Sequence, residues 1–221
     1  MIFFQRQTSI LGKSCQERLL KSKVLIAGVG GLGCVVAELL LRAGIDTLYL
    51  VDFAKVDLPD LNRQILYDSS DLGKFKTLVA AEKLKKIRPQ GKVYACLKRI
   101  DEKFEPPEVD LIVDCLDNFS SRFILNEKAE KIGVSLVHAG INAYFGQITT
   151  ITPGKTSSLR EIFKGVKDEE TVQATGSLCS VVGGLQAWEV IKVLCGLPGT
   201  LENRLLIVDI HDLSIEVIEL K

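Results

Sequence analysis

The sequence predicts an α/β fold: a Rossmann-like, mostly parallel sheet with helices on both faces and an antiparallel C-terminal extension. Three observations carry this. Short apolar runs of strand length alternate with runs of helical length and spacing, a glycine-rich turn joins the first strand to the first helix, and the last two apolar runs are separated only by a tight turn. With 221 residues, 47% hydrophobic and 25% charged, the chain reads as one domain over residues 1–221, with side chains enough for a sizeable core.

In chain order, Val24 to Val29 and Leu48 to Val51 read as short buried strands, and Gly33 to Ala43 between them as a helix closed by Gly44. That is a β-α-β unit, and its parallel strands require a right-handed crossover. A helix from Lys74 to Ile87 is stopped by Pro89, and a strand follows at Val93 to Leu97. Leu111 to Cys115 reads as an apolar, central-type strand, and Phe119 to Ile132 as a helix ended by Gly133. Val134 to His138 and Gln147 to Ile151 are strands, Ser177 to Leu194 is a long apolar helix, and Leu205 to Asp209 with Ile215 to Leu220 form a hairpin through His211 and Asp212. Pro153 to Ala174 has no clean periodicity and reads as a mobile crossover loop.

Lys plus Arg number 28 and Asp plus Glu number 28, so no global basic field recruits nucleic acid or an anionic membrane. The apolar runs Val35 to Leu41 and Leu205 to Ile210 fall short of the ~20 residues that span a bilayer, which predicts no transmembrane helix. Met1 to Ser14 has no apolar run followed by a cleavage site, and the reading is cytoplasmic. Six scattered cysteines without a Cys-x-x-Cys pair read mostly as buried apolar thiols. His138 and His211 receive no role, Lys167 to Glu170 reads as a solvated loop face, and Trp188 as core or dimer interface.

The chemistry concentrates where strands end. Gly28-Val29-Gly30-Gly31-Leu32-Gly33 is a G-x-G-x-x-G between strand and helix, where glycines admit a phosphate and the helix amino end offers free N–H groups. Asp52 ends the next strand, roughly 20 residues on, where an acid meets ribose hydroxyls. Cys34 and Val35 stand where a triphosphatase loop needs Lys and Ser or Thr, and Gly12-Lys13-Ser14 and Gly154-Lys155-Thr156 lack the earlier glycine. The fingerprint alone fits a nicotinamide enzyme as well as an ATP enzyme. Asp60-Leu61-Asn62-Arg63-Gln64, Gly73-Lys74-Phe75-Lys76 and Asp114-Cys115-Leu116-Asp117-Asn118 add phosphate-binding cations and a carboxylate, Asp117, within reach of magnesium.

With these residues assembled, the chain resembles the ThiF/MoeB/HesA family of ubiquitin-activating-type adenylyltransferases from about Phe4 to Leu220. The resemblance rests on Arg6-Gln7, Gly28 to Gly33, Asp52, Asn62-Arg63-Gln64, Gly73 to Lys76, Asp117-Asn118 with Arg122, and Gly184-Leu185-Gln186-Ala187. It implies ATP- and Mg2+-dependent adenylation of the C-terminal carboxylate of a small ubiquitin-like or sulfur-carrier protein ending in Gly-Gly, with pyrophosphate released. It also implies a homodimer. Carried over, Gly28, Gly30, Gly31, Gly33, Asp52, Gln64 and Asn118 hold nucleotide, Asn62, Arg63 and Lys76 hold phosphates, Asp117 holds magnesium, and Arg6 reaches a phosphate across the dimer. Many members bind zinc through two Cys-x-x-Cys pairs; here Ser158-Leu159-Arg160-Glu161 stands at the first and the sequence ends at Lys221, so no zinc site is expected. The crossover loop has no thiol, and Cys179, the nearest, reads as a buried helix residue. Two other readings stay open: an NAD-dependent Rossmann oxidoreductase, which lacks a proton-delivering constellation after the fingerprint, and a non-catalytic subunit lending Arg6 to a partner.

Overall fold

The computed structural model describes residues 2–168 and 173–220; what the sequence predicts for residues 169–172, part of the crossover loop and of the Lys167 to Glu170 charge run, lies outside the described residues. Eight strands form one sheet in the order β3-β2-β1-β4-β5-β6-β7-β8. They are β1 (Lys23–Ala27), β2 (Thr47–Val51), β3 (Lys92–Cys96), β4 (Leu111–Asp114), β5 (Ser135–Asn142), β6 (Phe145–Ile151), β7 (Arg204–Asp209) and β8 (Ser214–Glu219). From β3 to β5 all neighbours pair parallel, and from β5 to β8 antiparallel. The α/β prediction holds, but the antiparallel part begins at β6 rather than at the terminal hairpin.

The helices are α1 (Gln5–Leu11), α2 (Lys13–Leu19), α3 (Gly31–Ala43), α4 (Lys76–Ile87), α5 (Phe119–Lys131), α6 (Leu159–Ile162) and α7 (Gly176–Cys195). The strand side chains alternate between two cores: Val24, Ile26, Leu48, Leu50 and Val113 face α3, α4 and α7, while Leu25, Ala27, Val51 and Ile112 face α5 and α6. Covering both faces is why these strands are nearly continuous apolar runs. Helix α3 ends at Gly44, whose φ of 109° needs a residue without Cβ.

Several expectations are corrected. Helices α1 and α2, broken by Gly12 at φ 82°, were not predicted, and α6 forms inside the segment read as a mobile loop. Ser158 and Glu161 make a capping box on α6, with the Ser158 N–H and hydroxyl both 2.8 Å from Glu161 Oε2, so both residues have a local structural task. Trp188 is 42% exposed and is not a core residue. By length and composition alone α7 is long and apolar enough to cross a membrane. Yet it packs on α3, β5 and β6, and its Gln186 amide donates to the carbonyls of Asp114 (2.8 Å) and Val137 (3.1 Å), the contacts of a core helix.

Cys34, Cys115 and Cys179 are buried free thiols as expected, but Cys96 is only half-buried, and Cys15 on α2 is bonded to Cys195 at the end of α7 across a separation of 180 residues. The Arg18 guanidinium reinforces this junction by donating to the Cys195 carbonyl at 2.8 Å. Closing so long a loop restricts the unfolded chain, so Cys15→Ser is expected to lower the unfolding free energy by ~2–4 kcal/mol in a denaturant titration. Reductant should lower the wild type by the same amount and leave the variant unchanged.

Candidate active site

The order 3-2-1-4 reverses direction between β1 and β4, and a cavity of about 530 Å³ opens over the carboxyl ends of those strands and β2. Its floor is the glycine loop, built on contacts that exclude side chains. A Cβ on Gly28, at φ 87°, would lie 2.6 Å from the Cys115 carbonyl oxygen, and one on Gly33 would lie 2.0 Å from the Gly28 carbonyl oxygen. One on Gly31 would meet Cys179 Sγ at 2.5 Å, whereas Gly30 has its nearest neighbour, Gln64 Nε2, at 3.7 Å. No side chain caps the amino end of α3 at Gly30, which leaves first-turn N–H groups for an anion.

Around this floor the cavity gathers most of the residues the sequence singles out. Asp52 accepts from the Val29 N–H (2.9 Å) and the Ala54 N–H (2.8 Å), and since a carboxylate has about four acceptor positions, it keeps capacity for hydroxyls in the cavity. Lys76, only 8% exposed at the start of α4, pairs with Asp60 at 3.0 Å. The Arg63 guanidinium donates to the Pro59 carbonyl (2.7 Å) and Asn62 Oδ1 (3.0 Å) and stands 3.6 Å from Asp60. Gln64 donates to Asp60 at 2.6 Å, while its Oε1 is buried without a hydrogen-bond partner among the described residues. The Tyr67 hydroxyl lies 2.8 Å from the Val29 carbonyl oxygen and 3.3 Å from that of Lys76, tying the glycine loop to α4.

Three expected residues fall outside, the first being Gly33, which is buried against the Gly28 carbonyl. Asn62 is exposed and steadies Arg63 from behind without lining the cavity; Asp60, two residues earlier, lines it instead. Arg6 is exposed on α1, away from both cavities. Lys74 pairs with Asp71 at 3.5 Å, so of the two lysines near the start of α4 only Lys76 enters the cavity.

Beyond β4, Asp117 is exposed at the cavity rim and accepts from the Asn118 amide at 3.0 Å, while Asn118 Oδ1 caps α5 by accepting from the Ser121 N–H at 2.9 Å. A second cavity, about 410 Å³, starts here and shares Asp117, Asn118, Arg122 and Ile141 with the first. Phe119, Phe145, Phe163, Val166 and Ile207 give it an apolar wall. The segment ending at Asp168 closes one side, its carboxylate accepting from the backbone N–H groups of Phe119 (2.5 Å) and Ser120 (3.1 Å) and from the Ser120 hydroxyl. The Ser120 hydroxyl, with those amides, holds the Asp168 carboxyl below the usual carboxylate range.

Beneath the junction lies a buried polar network that sequence reasoning missed. His138 Nδ1 is 2.7 Å from Asp114 Oδ2, and both side chains are fully buried. Burial lowers the His138 pKa although Asp114 opposes that shift, which favours a neutral ring donating to the carboxylate. Arg122 stands 3.8 Å from the same carboxylate and donates to the Leu116 carbonyl at 2.6 Å. The sequence signal was only a His opposite an Asp on neighbouring apolar strands. Cys179 reaches the cavity, but burial raises its pKa, with nearby Arg63 opposing, so it is not an activated thiolate.

Fold and cavity define an α/β protein with a glycine-floored cavity at the switch point of its sheet. The ThiF family model matches residues 4–221, and the chain belongs to the ThiF family. The sulfur carrier protein adenylyltransferase of Thermus thermophilus is 33% identical over 220 residues, covering 92% of this chain and 80% of that protein. The SAMP-activating enzyme E1 of Haloferax volcanii is 33% identical over 217 residues, covering 94% and 80% respectively. The crystal structure of E. coli MccB with ATP has the same fold, with a TM-score of 0.89 and 23% identity over 99% of this chain and 71% of MccB.

The glycine contacts yield a paired test. Gly33→Ala, which forces a Cβ into backbone, is expected to cost about 3 kcal/mol or more in a denaturant titration, and Gly30→Ala to unfold close to wild type.

Proposed function

We propose that this chain is an ATP-dependent adenylyltransferase acting on the C-terminal carboxylate of a small ubiquitin-like or sulfur-carrier protein. One observation carries the reading: the glycine loop, Arg63 and Lys76 share a cavity that joins, at Asp117 and Arg122, a second cavity with an apolar wall suited to an extended peptide tail. The names of the Thermus and Haloferax relatives support the same reaction class.

In this reading the glycine loop and the amino end of α3 take up the phosphates and Asp52 the ribose. The tail lies in the second cavity, and its carboxylate oxygen attacks the α-phosphorus. A carboxyl–phosphate anhydride bond forms as the bond from the α-phosphorus to its bridging oxygen breaks, and pyrophosphate departs with that electron pair. Arg63 and Lys76 stabilise the charge that gathers on phosphate oxygens, and no side chain need become covalently attached. The donor set fits magnesium, which binds through one or two carboxylates plus phosphates: Asp117 presents a hard oxygen at the rim, and the buried, unpartnered Gln64 Oε1 can accept from a water or hydroxyl. Bound there, magnesium would supply further neutralisation of phosphate charge.

Pyrophosphate exchange into ATP, dependent on a carrier ending in Gly-Gly, tests the reading. Arg63→Ala, Lys76→Ala and Asp117→Ala are each expected to lower exchange by ~10²-fold or more, with far-UV spectra unchanged. Near-normal exchange in any one removes that residue from the mechanism.

Arg6 belongs to the proposal only through a homodimer with shared sites. Subunits of Arg6→Ala and Arg63→Ala, each inactive alone, are expected to regain part of the exchange when mixed, since one site of each mixed dimer then holds both arginines. Absence of recovery despite proven subunit exchange would remove Arg6 from action in trans.

A further inference from the structure

The geometry points to Asp60 as a positioning residue of the phosphate subsite, a fixed counter-anion that holds Lys76 and Arg63 and competes with polyphosphate for both. This rests on the reading above only in taking the cavity to bind polyphosphate. A carboxylate is an odd lining for such a cavity, because it repels the ligand. Here it is built in: Asp60 is 9% exposed, its Oδ2 accepts from the Asp57 N–H at 3.0 Å, and its own carbonyl accepts from the Arg63 (3.1 Å) and Gln64 (2.9 Å) N–H groups. Backbone and side chain are both tied, so the carboxylate cannot swing away when an anion enters.

Its partners are the groups a phosphate would use. Lys76 Nζ lies 3.0 Å from Oδ2, and Arg63 Nη2 lies 3.6 Å from Oδ1. In the empty cavity that carboxylate keeps the buried ammonium paired, a place that an entering phosphate must contest and that it fills unopposed once the carboxylate charge is removed. Gln64 makes an independent second point. With Nε2 committed to Asp60 at 2.6 Å, its Oε1 is left as a buried acceptor with no partner, oriented by the same carboxylate. Asp60 therefore orders three side chains and opposes retention of the polyanion that the two cations among them attract. An oppositely acting pair of this kind lets the cations stay aligned while pyrophosphate leaves.

The test measures binding apart from catalysis. Wild type, D60N, K76M and the double variant are titrated calorimetrically with inorganic tripolyphosphate and with ATP plus magnesium, with thermal melts alongside. Asn keeps the shape and an acceptor for Asp57 but removes the charge, so D60N is expected to bind both probes at least ~10-fold tighter than wild type. In the K76M background the gain should shrink clearly, since the carboxylate acts through that lysine. Should D60N melt early, D60S, which keeps a small acceptor, takes its place in the same comparison.

D60N binding no tighter than wild type, an undiminished gain in K76M, or no polyphosphate binding by any form would each overturn the assignment. Tighter binding without carrier-dependent exchange would leave Asp60 its role and sink the adenylation reading instead. Carrier-dependent exchange with unchanged D60N affinity would do the reverse.

Discussion

The site depends on a backbone contact that no side chain can enter. Gly28 lies against the Cys115 carbonyl, just past β4, and Gly33 against Gly28 itself, so β1, α3 and β4 meet at van der Waals distance. That contact places the amino end of α3 over the sheet edge. The rest is built from there: Asp52 binds the loop through the Val29 N–H, Tyr67 binds it through the Val29 carbonyl, and the same tyrosine touches the start of α4, where Lys76 begins. A larger residue at Gly28 or Gly33 would move the helix and every donor keyed to it.

Much of this was legible because it is local. Apolar alternation, Gly44 at a positive φ and Asn118 before a helix each act within a few residues, and most of the predicted strands and helices lie within a few residues of those found. What was not legible depends on which way a turn faces. Between Pro59 and Gln64 the chain turns tightly, so that Asp60 and Asn62 both approach the Arg63 guanidinium but only Asp60 also reaches Lys76. Pattern alone cannot separate two polar residues so close together. The same holds for Lys74 and Lys76, one paired outward with Asp71 and one buried. The Cys15–Cys195 bond joins residues brought together by the packing of α2 on α7, which nothing in their spacing records.

Buried charge near the junction acts on geometry more than on stability. Burying Asp114 beside a neutral His138, with Arg122 at 3.8 Å, has a desolvation cost that the attraction does little more than offset. What the arrangement secures is position. Gln186 on α7 holds the carbonyls of β4 and β5 together, and Arg122 on α5 bonds the chain just past β4, so helices on opposite faces grip the same strand ends.

That grip matters because the sheet changes character there. Strand β4 ends at Asp114, opposite His138, but β5 continues to Asn142, and past His138 it pairs with β6 alone. A parallel neighbour would need a crossover helix that lies across a face of the sheet. An antiparallel hairpin needs none, so the overhang of β5 and β6 stands clear of the sheet edge, and Gly140, Ile141, Phe145 and Gln147 become a wall of the second cavity. The nucleotide-sized cavity belongs to the parallel half and the apolar one to the antiparallel half. They meet at Asp117 and Arg122 because the switch from parallel to antiparallel pairing falls one strand beyond β4.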